Sequence, residues 1–300
     1  MLVAPGLEEE ECWVFAYFVG NGEDGLHLAT STDALTWTPV AGGRSLLQPQ
    51  VGSQKLIRDP SLARGPDGVF HLVWTVSWND RVIGHASSRD LIEWSEQEEL
   101  PVMVHEFAAR NAWAPEVYYD EPSRRFLIVW ASTVAGRFPA TAGSSEDEYN
   151  HRLYYTTTRD WRVFTPTKLL CDPGFSVIDG FVFRAGGKYV LVAKNERRYP
   201  EAAKWLFLAQ ARTLTGPYEP VNGAIDAAGT WVEGPCMLRV RGQFVLFFDR
   251  YSERRYGAVL SPNLARWTDI TEQIDVPAGA RHGTMVPISR VELERLRALR

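Results

Sequence analysis

Cysteine is scarce. Three stand in 300 residues, Cys12, Cys171 and Cys236, far apart and without a CxxC pair. That excludes a disulfide framework and a zinc-knuckle pattern and leaves three buried or neutral thiols as the expectation. A basic excess is also missing: 32 Lys and Arg face 37 Asp and Glu, for a net charge of −5. Such a chain offers no electropositive face to phosphate, so no nucleic-acid partner is expected. No apolar run reaches the length of about 20 residues that a membrane-spanning helix needs, and no membrane association is expected. The segment from Met1 to Glu11 lacks the basic and apolar regions of a secretory leader. The expectation is a soluble, cytoplasmic protein, with secretion open if a leader was removed. Helical periodicity is nearly absent as well. It is confined to Ser289–Arg300, with Ser289 as cap and Val291, Leu293, Leu296 and Leu299 on one side.

Aromatic residues, by contrast, make up 12% of the chain. They favour strands and can also floor sugar sites. The rest of the sequence reads as short strands between turn residues, and a repeat organises them. A small hydroxylic residue, a turn residue and then an aromatic recur as Ser31–Trp37, Ser87–Trp94, Thr157–Phe164, Thr213–Tyr218 and Ser261–Trp267. Asp or Asn in the middle suits a tight turn.

A second element precedes most copies. It is a strand opening beside Pro or Gly: Arg58-Asp59-Pro60-Ser61, Trp113-Ala114-Pro115-Glu116, Ile178-Asp179-Gly180-Phe181 and Glu233-Gly234-Pro235-Cys236. A further strand follows each, from Val69, Phe126, Lys188 and Gln243, with Pro66-Asp67-Gly68 and Ala185-Gly186-Gly187 as hairpin turns. Each unit has about four strands in roughly 50 residues, the size of a propeller blade. There are four complete units and an N-terminal partial one that lacks its opening strand. The orphan strand Gly283–Ile288 can supply it. The expected fold is therefore an all-β, five-bladed β-propeller, one domain over residues 1–300. The C-terminal strand completes the first blade and a short helix ends the chain. The stretch 136–150 reads as a long surface loop.

In a propeller the opening strands converge on one mouth. Asp59, Asp179 and Glu233 open three different blades, and the repeat places them at equivalent positions. One acidic residue there can simply cap backbone amides. Three converging carboxylates repel and push their pKa values apart, which is what acid–base cleavage of a glycosidic bond needs.

The series Arg-Asp-Pro-Ser, Trp-Ala-Pro-Glu-Val-Tyr-Tyr-Asp, Ile-Asp-Gly-Phe and Trp-Val-Glu-Gly-Pro, with Arg281-His282-Gly283, resembles glycoside hydrolase family 43 from about Trp13 to Ile288. The resemblance implies an inverting glycosidase, exo-acting on terminal α-L-arabinofuranosyl or β-xylosyl residues of plant-type polysaccharides or oligosaccharides. Asp59 matches the general base, Asp179 the residue that tunes and orients the acid, and Glu233 the general acid. His282 matches a histidine near the axis that holds a calcium or other cation in many members; no cofactor is needed for the chemistry itself. Gly180 replaces the Pro often found after the modulating Asp. The partial first blade before Asp59 is a second departure. Two other readings are a non-catalytic carbohydrate-binding propeller and a related five-bladed fructan hydrolase or glycoside phosphorylase.

Further candidates for sugar contact are Trp78 and Trp113 as stacking platforms, and Lys194, Glu196, Asp249 and Tyr251 at matching strand ends. For each, packing or a solvated strand end is the competing reading. Glu116 falls one step past the site-facing position. His71, His85 and His151 lack metal-ligand spacing, and a structural role is expected for them.

Overall fold

A computed structural model describes residues 11–221, 225 and 230–299. The reading of the first ten residues, and Arg300 of the expected helix, lie outside the described residues. Among these, the strands form five four-stranded sheets. The first blade holds β1 (Cys12–Phe18), β2 (His27–Ser31) and β3 (Thr38–Pro39). The second holds β4 (Arg58–Arg64), β5 (Phe70–Thr75), β6 (Ile83–Ser88) and β7 (Glu98–Leu100). The third is β8 (Trp113–Asp120), β9 (Arg125–Thr133), β10 (His151–Thr158) and β11 (Lys168–Cys171). The fourth is β12 (Val177–Ala185), β13 (Lys188–Asn195), β14 (Leu206–Ala211) and β15 (Glu219–Pro220). The fifth is β16 (Glu233–Val240), β17 (Gln243–Arg250), β18 (Arg255–Ser261) and β19 (Thr268–Asp269). Finally β20 (Arg281–Ile288) pairs antiparallel with β1, with Val14 opposite Val286, and completes the first blade as expected.

The inner strands form a closed cycle: β4 lies beside β8, β8 beside β12, β12 beside β16, β16 beside β20, and β20 beside β4. Ring closure leaves no inner edge for another chain to extend. Each interface between blades is filled by its own apolar cluster. Leu62, Leu72 and Trp74 meet Val14 and Leu28, for example, and Phe247 and Tyr256 meet Phe15 and Trp37. A buried Leu72 or Phe247 contributes about 1.5–3 kcal/mol relative to exposure. The three cysteines are buried in these interfaces.

The turn repeat has a hydrogen-bond cause. The Ser31 hydroxyl accepts the N–H of Ala34 while Asp33 Oδ1 accepts those of Leu35 and Thr36. Ser88 with Asp90, Thr158 with Asp160, and Ser261 with Asn263 do the same. The fourth residue is left-handed each time: φ is 59° at Ala34, 66° at Leu91, 59° at Trp161 and 64° at Leu264. Short Asp and Asn side chains satisfy the turn amides that this geometry exposes. The copy beginning at Thr213 is built differently, with Thr213 Oγ1 donating to the Gly216 carbonyl and Gly216 taking φ 86°.

Helix α1 (Arg290–Arg297) carries a capping box between Ser289 and Glu292. Leu293 and Leu296 are buried against the first blade, but Val291 is exposed. This corrects the expected apolar face. At about 100° per residue, Val291 points about 160° away from Leu293. Among the described residues no helix is long and apolar enough to cross a membrane.

Strand direction alternates within each blade. The β1–β2, β5–β6, β9–β10, β13–β14 and β17–β18 connections therefore emerge at the end where the inner strands begin. Trp78, the 136–150 loop, Glu196 and Tyr251 all lie on this rim.

Candidate active site

Each inner strand carries a bulge near its start. The pairing register slips between Arg58 and Ser61, Trp113 and Glu116, Ile178 and Phe181, and Glu233 and Cys236. It slips again opposite Arg281 and Thr284. The second bulge residue is left-handed at Asp59 (φ 49°), Ala114 (45°), Asp179 (55°) and Gly234 (59°). A bulge of this kind bends the strand and re-aims its side chains.

The slip also fixes which residues correspond. Asp59, Ala114, Asp179, Gly234 and His282 share one position; Glu233 shares the preceding one with Arg58, Trp113, Ile178 and Arg281. The expectation that all three carboxylates occupy equivalent positions is thereby corrected. Space explains the offset. A Cβ at residue 234 would lie 2.4 Å from His282 Cγ, so only glycine fits there and the carboxylate comes one residue earlier.

His282 is the hub. Its Nδ1 lies 3.4 Å from Asp59 Oδ1 and 3.9 Å from Asp179 Oδ2. Its Nε2 faces Glu116 Oε1 at 3.5 Å. Burial opposes charge on the ring, but Asp179, Asp59 and Glu116 together hold its pKa well above the ordinary histidine value, which favours the imidazolium form. Glu116 also accepts from Ser61 Oγ at 2.6 Å. It was expected one step off the site-facing position, and the structure places it on the axis beneath His282, with its pKa raised by burial.

The environments of the two equivalent aspartates diverge. Burial would raise Asp59, but His282, Arg58 and the 2.9 Å bond from Thr75 Oγ1 bring it down to about 2. Asp179 is pushed up to about 7, chiefly by burial. It accepts the N–H of Gly234 at 2.9 Å and so holds the backbone just after Glu233. The side chain of Asp179 is 4% exposed, against 13% for Asp59 and 19% for Glu233, so the last two are the ones a substrate can reach.

Glu233 sits between two cations, with Oε2 3.1 Å from Lys194 Nζ and Oε1 3.1 Å from Arg281 Nη2. Burial raises its pKa, but Lys194 and Arg281 outweigh that and hold it below the ordinary value. The acid role inferred from the sequence calls for a raised pKa; in this arrangement the raised carboxylate is its neighbour Asp179.

The other candidates fall into two groups. Lys194 and Asp249 belong to the cluster: Arg281 Nε donates to Asp249 Oδ2 at 2.7 Å, and burial pushes Asp249 up to about 6. Tyr251 joins them, its ring centroid 4.5 Å from Lys194 Nζ. Trp78 lies over Arg58 at 4.3 Å and meets Trp113 edge-on at 5.4 Å. Trp113 in turn packs on Tyr149 and His151 at 4.6 and 4.8 Å. Glu196, by contrast, spends its carboxylate on Lys194 and Lys204 rather than on the open mouth. His71 and His85 lie away from the site, hydrogen-bonded to each other at 3.2 Å and stacked on Trp161. Arg281 went unrecognised as a site residue. The signal was its register with Glu233, one position before the histidine.

Among the described residues no group of three or more His, Cys, Asp or Glu side chains is arranged to hold a metal ion. Both ring nitrogens of His282 face carboxylates, which serve as its counter-charges, and no step below is routed through a cation. A cavity of about 1180 Å³ lies toward the opposite end of the inner strands among Leu62, Val117, Phe181, Met237 and Met285.

A model of the glycosyl hydrolase 43-related family, described as "Probable glycosyl hydrolase domain", matches residues 8–294. An alpha-L-arabinofuranosidase of Bifidobacterium longum subsp. longum is 26% identical over 156 residues, 48% of this chain. The match spans 15% of that longer protein. Two solved structures share the fold. The alpha-L-arabinofuranosidase of Lactobacillus brevis is 18% identical with TM-score 0.54, over 71% of this chain and 72% of that one. A GH43_12 protein from a capybara gut metagenome is 12% identical with TM-score 0.60, over 92% and 54%.

Proposed function

Because the chain belongs to the glycosyl hydrolase 43-related family, we propose that it is a glycosidase that acts by inversion, releasing terminal α-L-arabinofuranosyl or β-xylosyl units from the end of an oligosaccharide or polysaccharide. The observation that carries this reading is the divergence of Asp59 and Asp179. They occupy one register position beside one imidazolium, yet one is held at about 2 and the other at about 7. Carboxylates driven apart in this way divide acid from base work.

In this reading Asp59, ionised across the working pH range, takes a proton from water as the water oxygen attacks the anomeric carbon. The glycosidic C–O bond breaks on the opposite face. Glu233, protonated for the step, gives its proton to the leaving oxygen, and the configuration inverts. In the free protein the proton rests on Asp179 while Lys194 and Arg281 keep Glu233 ionised. Asp179 and Glu233 interact, so their protons belong to the pair, and Asp179 acts as the store from which Glu233 is charged. The arabinofuranosyl preference follows the Bifidobacterium relative. Exo action is supported by the rim: the 136–150 loop reaches the fourth blade, where Arg198 N–H bonds to the Ser144 carbonyl. We propose the whole chain, 1–300, as one catalytic domain.

The test is hydrolysis of nitrophenyl α-L-arabinofuranoside and β-D-xyloside by wild type, Asp59→Asn and Glu233→Gln. Loss of about 10²–10⁴-fold in both variants is expected. Wild-type rates in either variant would remove the assignment.

A further inference from the structure

A chain of alternating charges runs from Glu233 to the surface. Lys194 Nζ lies 3.1 Å from Glu233 and 2.8 Å from Glu196 Oε2. The other oxygen of Glu196 pairs with Lys204, and Lys204 Nζ reaches Glu146 at 3.1 Å. Both lysine side chains are 2% exposed, whereas Glu146 is 48% exposed and sits in the 136–150 rim loop. The same loop is tied alongside the ladder by Ser145 Oγ, which donates to the Glu196 carbonyl at 3.2 Å.

We propose that Lys194 is a positioning residue that fixes the Glu233 carboxylate, and that the ladder Glu233–Lys194–Glu196–Lys204–Glu146 couples the rim loop to that carboxylate. The proposal rests on the reading of Glu233 as the acid. Two buried ammonium groups are costly unless paired, and each lysine here is shared between two carboxylates. Sharing is the functional point. Whatever Glu196 takes of Lys194 is withheld from Glu233, so a change at Glu196 or Glu146 reaches the site without touching it. The buried lysine also rests against the Tyr251 ring, which limits where Nζ can move.

The two ends of the inner pair then predict opposite responses. Lys194→Met removes the cation from Glu233 and moves the basic limb of kcat/KM to higher pH, by about one unit or more. Glu196→Gln leaves Lys194 wholly to Glu233 and moves the same limb to lower pH. Glu146→Gln moves it in the Glu196→Gln direction, but less. Lys194→Arg keeps the cation and restores the limb. The other groups facing Glu233 are Arg281, His282, Asp59, Asp179, Asp249 and Tyr251, and all variants leave them in place.

The measurement is kcat/KM against pH on 4-nitrophenyl arabinofuranoside or xyloside, with circular dichroism to confirm folding and Glu233→Gln as reference. Opposite shifts for Lys194→Met and Glu196→Gln support the proposal; no shift, or shifts of one sign, overturns it. If Lys194→Met does not fold, Glu196→Gln and Lys194→Arg decide, and an unmoved limb in Glu196→Gln is contrary. If Glu233→Gln is as active as wild type, the acid assignment falls, a separate outcome.

Discussion

His282 Nδ1 stands 3.4 Å from Asp59 Oδ1, so the last strand of the ring supplies the charge that keeps the first candidate carboxylate ionised. Replacing His282 with Asn removes that charge. The Asp59 pKa then rises toward the value burial alone would give. Asp59 must be ionised to act as base, so the acid limb of kcat/KM moves up by about 1–2 units. A pH series from 3 to 7 checks this: the variant loses more activity at pH 4 than at pH 7.

Gly234 answers to two constraints at once, φ of 59° and the 2.4 Å approach to His282. Gly234→Ala meets both. The left-handed conformation alone costs about 1–2 kcal/mol, and His282 must also move. The expected outcome is a lower Tm together with a loss of activity larger than Asp120→Asn causes, on the same nitrophenyl substrate. Asp120 is the control because it is buried at the far end of the same ring of strands.

Much of this was legible from sequence because propeller blades repeat. The four Pro or Gly steps at the inner strands and the Ser–Asp turns gave the blade number, the closing role of β20 and the residues Asp59, Asp179 and Glu233. The bulge was not legible. Matched at Pro60, Pro115, Gly180 and Pro235, the four phrases set Glu233 beside Arg58, as the hydrogen-bond register does, but nothing in them marks the added residue that re-aims the side chains at the start of each strand. For the same reason Glu116 read as off-site. Lys194 and Glu196 were found as strand-end residues, but their pairing with Glu233 and Lys204 joins the fourth and fifth blades and leaves no local trace.

Asp179 carries a stability consequence. Its folded pKa of about 7 lies above the ordinary 3.8. A raised carboxylate contributes stability that is present below about 3.8 and lost as pH rises through 7. Asp179→Asn removes the charge while keeping an oxygen acceptor for Gly234. The variant should therefore gain Tm over wild type at pH 8 and show little gain at pH 4. A constant difference across that range would count against the shift.

His71 and His85 predict the reverse slope. Burial pushes them down to about 3 and about 4, below the ordinary 6.5. The folded state resists their protonation, so their contribution is present above 6.5 and lost as pH falls toward 4. Replacing His85 with Phe keeps a ring against Trp161 and removes one titrating group. The fall in Tm between pH 6.5 and 4 should be shallower in the variant. An equal fall would place the acid sensitivity elsewhere.

The central claim, that Asp59 delivers water to one face of the sugar while Glu233 releases the leaving group from the other, is tested most directly by the anomer first formed. Proton NMR of a fresh digest of an aryl α-L-arabinofuranoside or β-D-xyloside should show the inverted sugar before mutarotation, and the signal should vanish with Asp59→Asn. First appearance of the retained anomer, or no hydrolysis of either glycoside, would contradict it.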